Sequence, residues 1–428
     1  MQHNSRGVFF PGLNGLRFLA ASAVMITHVE LVKFYLRSQY NLKSYWFDLW
    51  GKWHNGDQMG HRIVDSTPIE TILTHPSVKW YHPIIAEAGP LGVVFFFVLS
   101  GFLITYLLFT ERELTGTVAV RKFYIRRLLR IWPLYYLIVI LGFLVLPQFG
   151  IFDVSYQMAP FDDSPRQFWL NFGLFMVIFP NLALSIFGPF PNIGQLWSIG
   201  VEEQFYIVWP LFIKKTRRPL RIILMVIFVL VLVKALILAL DGIVTDKNWD
   251  WVIRFFAMTK LESMAIGGLG AWILYHKKHI FLRLAYHPFV QALAYAGIPI
   301  LLYVTPSLIQ NGVHLIHSMF FLVIILNVST NPNSFLKLEN RVFHSLGKIS
   351  YGLYMYHLLV ITAVLHVAAP LFSEPNRNGF AANLVFYVLS FSISIAISYL
   401  SYHFFESRFV RMKSRFTKVT SGDDARKQ

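Results

Sequence analysis

Arg17 and His28 stand eleven positions apart in an otherwise apolar stretch that runs from Gly15-Leu16-Arg17-Phe18 to Ile26-Thr27-His28. Eleven residues are almost a whole number of helical turns. At about 100° and 1.5 Å per residue, both side chains share one helix face and are separated by roughly 16 Å along it. Arg17 then sits near one rim of an apolar layer and His28 near its middle. An imidazole at that depth is expensive to bury, so it is a functional candidate by default. Its chemistry is that of a general base or nucleophile near neutral pH. The plainer alternative is a polar tie to a neighbouring helix.

A second constellation is basic. Arg121, Lys122, Phe123, Tyr124, Ile125, Arg126, Arg127, Leu128, Leu129 and Arg130 lead into Ile131-Trp132-Pro133. Arg112, Arg121 and Lys122 are read as orienting charge beside a membrane. Arg127 and Arg130 differ, because a three-residue spacing on a helix aims two guanidinium forks at one point. Bidentate donors that never lose their charge suit a phosphate or pyrophosphate, and so a nucleotide-bearing donor.

An acidic constellation opens Leu196-Trp197-Ser198-Ile199-Gly200-Val201-Glu202-Glu203-Gln204-Phe205-Tyr206. A helix N-terminus accounts for carboxylates at an interface only. Adjacent residues lie about 100° apart, so one carboxyl faces the interior and the other meets a different neighbour. Ser198, Glu202 and Tyr206 share a face, and Glu202 is the expected inward group. Further along, Gly347-Lys348-Ile349-Ser350-Tyr351-Gly352-Leu353-Tyr354-Met355-Tyr356-His357 offers Ser350, Tyr351 and His357 for a polar cavity. Tyr354 is assigned to an interfacial aromatic belt.

The elements that must carry these groups are membrane helices. Of 428 residues, 55% are hydrophobic and 14% charged, against about 25% charged in soluble domains. Ten stretches reach spanning length: 13–36, 90–109, 131–148, 196–213, 220–240, 254–275, 284–304, 313–329, 350–371 and 381–404. The expected fold is an all-α, polytopic transmembrane bundle of about ten spans, forming a single domain over 1–428. The apolar segment 168–186, with Asn171, Pro180 and Asn181, is expected to be re-entrant or interfacial. The first stretch lacks a small-residue cleavage site and is expected to remain as the first span.

If the tail and the loops 110–130, 213–221, 276–283 and 329–349 are cytoplasmic, they hold 24 Lys and Arg against eight in the opposite loops. Both termini are then expected in the cytoplasm, with the net charge of +16 facing anionic lipid rather than nucleic acid. The long outer loop 37–89 is either a lid or acceptor platform, or a connector with interfacial aromatics. Cysteine is absent, which removes disulfides, thiolate nucleophiles and thiolate metal sites. The histidine spacings do not form a metal set either.

Together these segments resemble the acyltransferase-3 family of integral-membrane O-acyltransferases. The resemblance rests on Gly15-Leu16-Arg17 leading to His28, on Val94 through Ser100-Gly101-Phe102-Leu103-Ile104, and on Arg126 to Pro133. It rests further on Leu196-Trp197-Ser198 through Tyr206 and on Ile349 to Tyr354, all in the family's order. It implies that Arg17 and His28 form the Arg-x10-His motif, and that Arg127 and Arg130 form the Arg-x-x-Arg motif. It also implies acetyl-CoA or another acyl-CoA as donor, no tightly bound cofactor, and a carbohydrate-like acceptor hydroxyl reached from the other membrane face. In the mechanism expected on these residues His28 is the base or acyl carrier, Glu202 orients or charge-stabilises it, and Arg127 and Arg130, with help from Arg17, hold the CoA phosphates. Ser100, Tyr124, Trp197, Ser198, Glu203, Tyr206, Ser350, Tyr351 and His357 are the further site candidates.

The implied location is a bacterial inner membrane. The chain departs from the family's commonest form in having Asn14 where an acidic residue is usual, and in its long first outer loop. No hydrolase-like domain is fused within the 428 residues, so a second transfer step is expected to need an extracytoplasmic partner. The competing class is a proton-coupled transporter or lipid flippase, since buried Glu and His also make a proton relay; the absence of repeated halves argues against it.

Overall fold

The computed structural model describes residues 7–37, 82–152, 165–241, 244, 249–304, 310–372, 379–417 and 419–420. Most of the outer loop 37–89, residues 38–81, lies outside them. The described residues form an all-α bundle: α1 (Leu13–Arg37), α2 (His82–Thr115), α3 (Val120–Ile140), α4 (Pro165–Met176), α5 (Pro180–Phe187) and α6 (Trp197–Lys215), then α7 (Pro219–Asp241), α8 (Asp250–Met258), α9 (Leu261–Tyr275), α10 (His279–Tyr286) and α11 (Pro288–Val304), and finally α12 (Gln310–Thr330), α13 (Arg341–Lys348), α14 (Ser350–Ala368), α15 (Phe380–Ser401) and α16 (Ser407–Lys413).

Among the described residues, seven helices are long and apolar enough to cross a membrane, and an eighth span results if α10 and α11, bent by 61°, count as one. The bend falls at His287, which precedes Pro288 and is extended at ψ 131, as the clash with a following proline ring requires. The other two expected spans have simple physical signatures. Helix α6 has the length but carries Glu202, Glu203, Lys214 and Lys215. The stretch 254–275 is two helices, α8 and α9, interrupted at Thr259 and Lys260.

The segment 168–186 is likewise broken, into α4 and α5. Ile178 adopts φ 62 in the break, a strained conformation for a β-branched residue. Its polar residues turn inward. The Asn181 amide and Gln204 exchange hydrogen bonds of 3.2 and 2.9 Å, and Asn171 and Asn181 are buried. Such pairing satisfies amides that hydrocarbon would leave unbonded.

The centre of the bundle is the contact of α2 with α9. Gly101 and Gly267 let the backbones touch: a Cβ on Gly101 would lie 1.8 Å from the Met264 carbonyl oxygen, and one on Gly267 1.9 Å from that of Val98. Small residues are how membrane helices gain van der Waals contact where lipid offers no hydrophobic driving force. Helix α1 packs against α2 and α14, and α14 against α15. Helix α7 keeps Leu224, Met225, Phe228, Val229, Leu232 and Leu236 exposed, as a lipid-facing helix should.

One charged knot is buried among these helices. Lys234 of α7 and His314 of α12 both bond Oε1 of Glu262 on α9, the histidine at 2.6 Å. The Glu262 side chain is wholly buried. A carboxylate there persists only when paired, so the knot pins three helices together.

Candidate active site

Five helices converge on a cavity of about 230 Å³. Helix α1 brings Asn14 and Arg17; α2 brings Val93, Phe96, Ser100 and Glu111; α3 brings Arg126, Arg127 and Arg130; α6 brings Ser198, Glu202 and Tyr206; and α14 brings Ser350, Tyr351 and Tyr354. Lys413, Thr417 and Val419 from the C-terminal segment line one side. That segment is tied down by the Val8 amide, which donates to the Thr420 carbonyl at 2.9 Å, and by Arg126, which donates to the Phe416 carbonyl at 3.0 Å.

The arginines are aimed by different devices. Arg17 donates to the Asn14 side-chain oxygen at 3.0 Å, and the Asn14 amide meets His344 Nδ1 at 3.2 Å. An amide tether directs the guanidinium without neutralising it. Helix α1 reaches this position because Gly12, at φ 74, turns the chain where a Cβ would lie 2.5 Å from Val328. Arg127 lies over the rings of both Phe123 and Tyr206, each 5.4 Å from its guanidinium carbon, a geometry that favours a planar cation. Arg126 is already paired, with Glu111 at 2.8 Å.

Glu202 faces the cavity, whereas Glu203 turns away to accept from the Trp132 indole at 3.1 Å, so the two carboxyls divide as their 100° offset requires. Ser100 donates to Glu202 Oε1 at 3.0 Å and Tyr206 to Oε2 at 2.7 Å. Both oxygens are thus committed, and Arg127 and Arg130 stand within electrostatic reach. The expected partnership of Glu202 with His28 is not made. His28 Nδ1 bonds its own helix, at the Val24 carbonyl, 2.8 Å away.

Tyr354 corrects a second expectation. Rather than joining an interfacial belt, it is buried and lines the cavity. Its hydroxyl meets Ser198 Oγ at 2.7 Å and donates to the Gln195 carbonyl at 2.9 Å. Phe96 and Tyr354 pack edge-to-face at 5.9 Å. Neither His28 nor His357 is among the residues that line the cavity; the place of His357 follows from its neighbours. It comes one turn beyond Tyr354, fully buried, with its ring 4.9 Å from that of His28.

Of the remaining candidates, Ser350 and Tyr351 line the cavity. The Tyr351 hydroxyl also donates to the Ile131 carbonyl at 2.8 Å. Tyr124 ties α3 to α6 through the Ile207 carbonyl at 2.6 Å, and Trp197 packs on Phe97. Both serve to position helices.

Two acidic residues escaped sequence reasoning. Glu111 lines the cavity but reads in sequence as one charge among the loop's many. Glu406 is buried in a π-helical turn, Tyr402–Glu406, beyond the last apolar run. It lies within electrostatic reach of Tyr351 and Arg130. A widened turn of this kind is invisible to 3.6-residue periodicity.

A family model described as an acyltransferase domain, that of the acyltransferase-3 family, matches residues 10–403. The chain belongs to the acyltransferase-3 family. Curated relatives include a Bacillus subtilis protein with the provisional name peptidoglycan O-acetyltransferase YrhL, 27% identical over 360 residues, covering 79% of this chain and 52% of the relative. Peptidoglycan O-acetyltransferase OatA of Listeria monocytogenes is 26% identical over 364 residues, covering 79% and 53%. A Staphylococcus aureus protein provisionally named O-acetyltransferase SACOL0978 is 26% identical over 352 residues, covering 79% and 54%. The chain therefore spans about half the length of these relatives. No solved structure matches it. Within the acyltransferase-3 domain, all five helices that line the cavity fall inside the matched region, and only Val8, Phe9, Lys413, Thr417 and Val419 of its lining lie outside.

Proposed function

We propose that this protein is a membrane O-acetyltransferase that takes an acyl group from acyl-CoA on the cytoplasmic side of a bacterial inner membrane and delivers it to a hydroxyl of a cell-envelope glycan. The observation that carries the reading is the charge of the cavity. Arg17, Arg126, Arg127, Arg130 and Lys413 face it against only Glu111 and Glu202. Such an excess of cations in an apolar setting calls for a polyanion, and guanidinium forks match phosphates. The relatives' names supply the acetyl group and the glycan hydroxyl.

In this reading Arg17, Arg127 and Arg130 bind the donor's phosphates. Glu202, held by Ser100 and Tyr206, balances the arginines and fixes Tyr206 beneath Arg127. The pantetheine arm passes the Phe96–Tyr354 contact toward His28. The Val24 carbonyl accepts from His28 Nδ1–H and so leaves Nε2 as the basic nitrogen. It takes the hydroxyl proton as the acceptor oxygen bonds the acyl carbon and the carbon–sulfur bond breaks; the proton then leaves with the CoA thiol.

The test is acetyl-CoA turnover by purified protein in nanodiscs, with cell-envelope glycans supplied and with H28A and R127A beside the parent. Turnover by the parent and its loss in both folded variants support the reading. A parent that neither binds nor consumes any acyl-CoA overturns it and turns attention to proton-coupled transport.

A further inference from the structure

The His28–His357 contact has no place in the steps above, which use His28 alone. His357 Nδ1 lies 2.7 Å from the Tyr354 carbonyl. A carbonyl only accepts, so the proton sits on Nδ1 and Nε2 carries a lone pair. That Nε2 is buried and has no hydrogen-bond partner among the described residues. His28 is fixed in the same tautomer by Val24. The two imidazoles meet at 4.9 Å between ring centres with planes 70° apart. Among the described residues no carboxylate contacts either ring.

Buried polar atoms are almost always bonded in a resting protein, and each exception calls for an account, a partner in a state not yet formed being one. Here the unformed state is plain. When His28 takes a proton on Nε2 it becomes a cation with its back to an apolar bundle, and a base is normally supported by a third group. The Val24 carbonyl already holds Nδ1, and the His357 ring is the group packed edge-on against the imidazole itself. We propose that His357 is a positioning residue for His28. Its neutral, electron-rich imidazole orients the His28 ring and stabilises the imidazolium while the acceptor proton resides there. His357 gains and loses no proton. The inference rests on His28 being the base.

Two substitutions separate this role from packing. His357→Asn keeps a donor near the Nδ1 position for the Tyr354 carbonyl but places nothing at Nε2. His357→Gln sets its amide near the Nε2 position and restores an acceptor there. Acetyl transfer to a glycan is measured with each, together with CoA affinity and thermal unfolding in nanodiscs.

The expected result is a kcat about tenfold or more lower for His357→Asn, with KM for acetyl-CoA unchanged, and recovery to within about threefold in His357→Gln. Equal activity in both variants and the parent, or equal losses that follow thermal stability, overturns the proposal. An active parent whose H28A variant is also active removes the base on which it depends. A parent with no acyl-CoA turnover at all instead sinks the functional reading itself.

Discussion

Arg127 is the cavity cation whose setting allows a magnitude to be worked out. Its guanidinium carbon lies 5.4 Å from two ring centres, Phe123 and Tyr206, and each such contact contributes about 0.5–1 kcal/mol or more when desolvated. A charge-assisted hydrogen bond to a phosphate adds about 1.5–3 kcal/mol. Arg127→Ala removes the phosphate contact and is expected to weaken CoA binding by about 10- to 150-fold, at 1.4 kcal/mol per factor of ten. Arg127→Lys keeps the charge but loses the fork and the planar stacking. It is expected to fall between, at about 5- to 30-fold from the two stacking contributions alone. Equilibrium binding of labelled CoA to nanodisc-embedded protein measures both, and high salt is expected to shrink the difference between parent and Arg127→Ala. A lysine variant that binds as tightly as the parent refutes the stacking argument, and an alanine variant that does so refutes the donor assignment.

Other outcomes follow from neighbouring geometry. Tyr206→Phe removes one of the two hydrogen bonds to Glu202 and is expected to lower turnover about tenfold while Ser100→Ala lowers it less, the charged bond to Tyr206 being the shorter; a double-mutant cycle with Glu202→Gln checks that all three act together. Gly101→Ala places a Cβ 1.8 Å from a backbone oxygen where 3.0 Å is the closest real approach. Helices α2 and α9 must then part by about 1.2 Å, which displaces Ser100 and destabilises the protein by at least about 1–3 kcal/mol; unchanged thermal unfolding would contradict this. Lys234→Met leaves the buried Glu262 with only the His314 hydrogen bond, and a loss approaching about 3–5 kcal/mol is expected, largely recovered in Lys234→Met with Glu262→Leu; denaturation in mixed micelles reads both. Asn14→Ala frees Arg17 from its tether and is expected to raise KM for acetyl-CoA about 2- to 10-fold without lowering kcat, one neutral hydrogen bond being involved.

Much of this arrangement was readable in the residues. Helical spacing put Ser198, Glu202 and Tyr206 on one face, and the structure turns that face into the cavity. The three-residue spacing of Arg127 and Arg130 likewise survives as two residues lining one space. Apolar runs located the helices, because a spanning segment must satisfy its backbone internally. Partnerships between helices were not readable, since nothing in a single segment says what packs opposite. Tyr354 resembled an interfacial aromatic because its partners, Ser198 and Gln195, lie more than 150 residues away. Glu202 and His28 pair readily on paper because both are inward and ionisable, whereas two hydroxyls, from Ser100 and Tyr206, claim Glu202 instead. Asn14 stands out in the sequence for lacking a charge, and in the structure its amide steers Arg17 without neutralising it.

The central claim is that acyl-CoA occupies the arginine-lined cavity. Photo-crosslinking with a benzophenone-bearing acyl-CoA, followed by mass spectrometry of the labelled peptides, addresses it most directly. Adducts are expected on the cavity-facing segments of α2, α3, α6 and α14, suppressed by free CoA and weakened in the Arg127→Ala variant. Adducts confined to other helices, or labelling indifferent to free CoA, would contradict it.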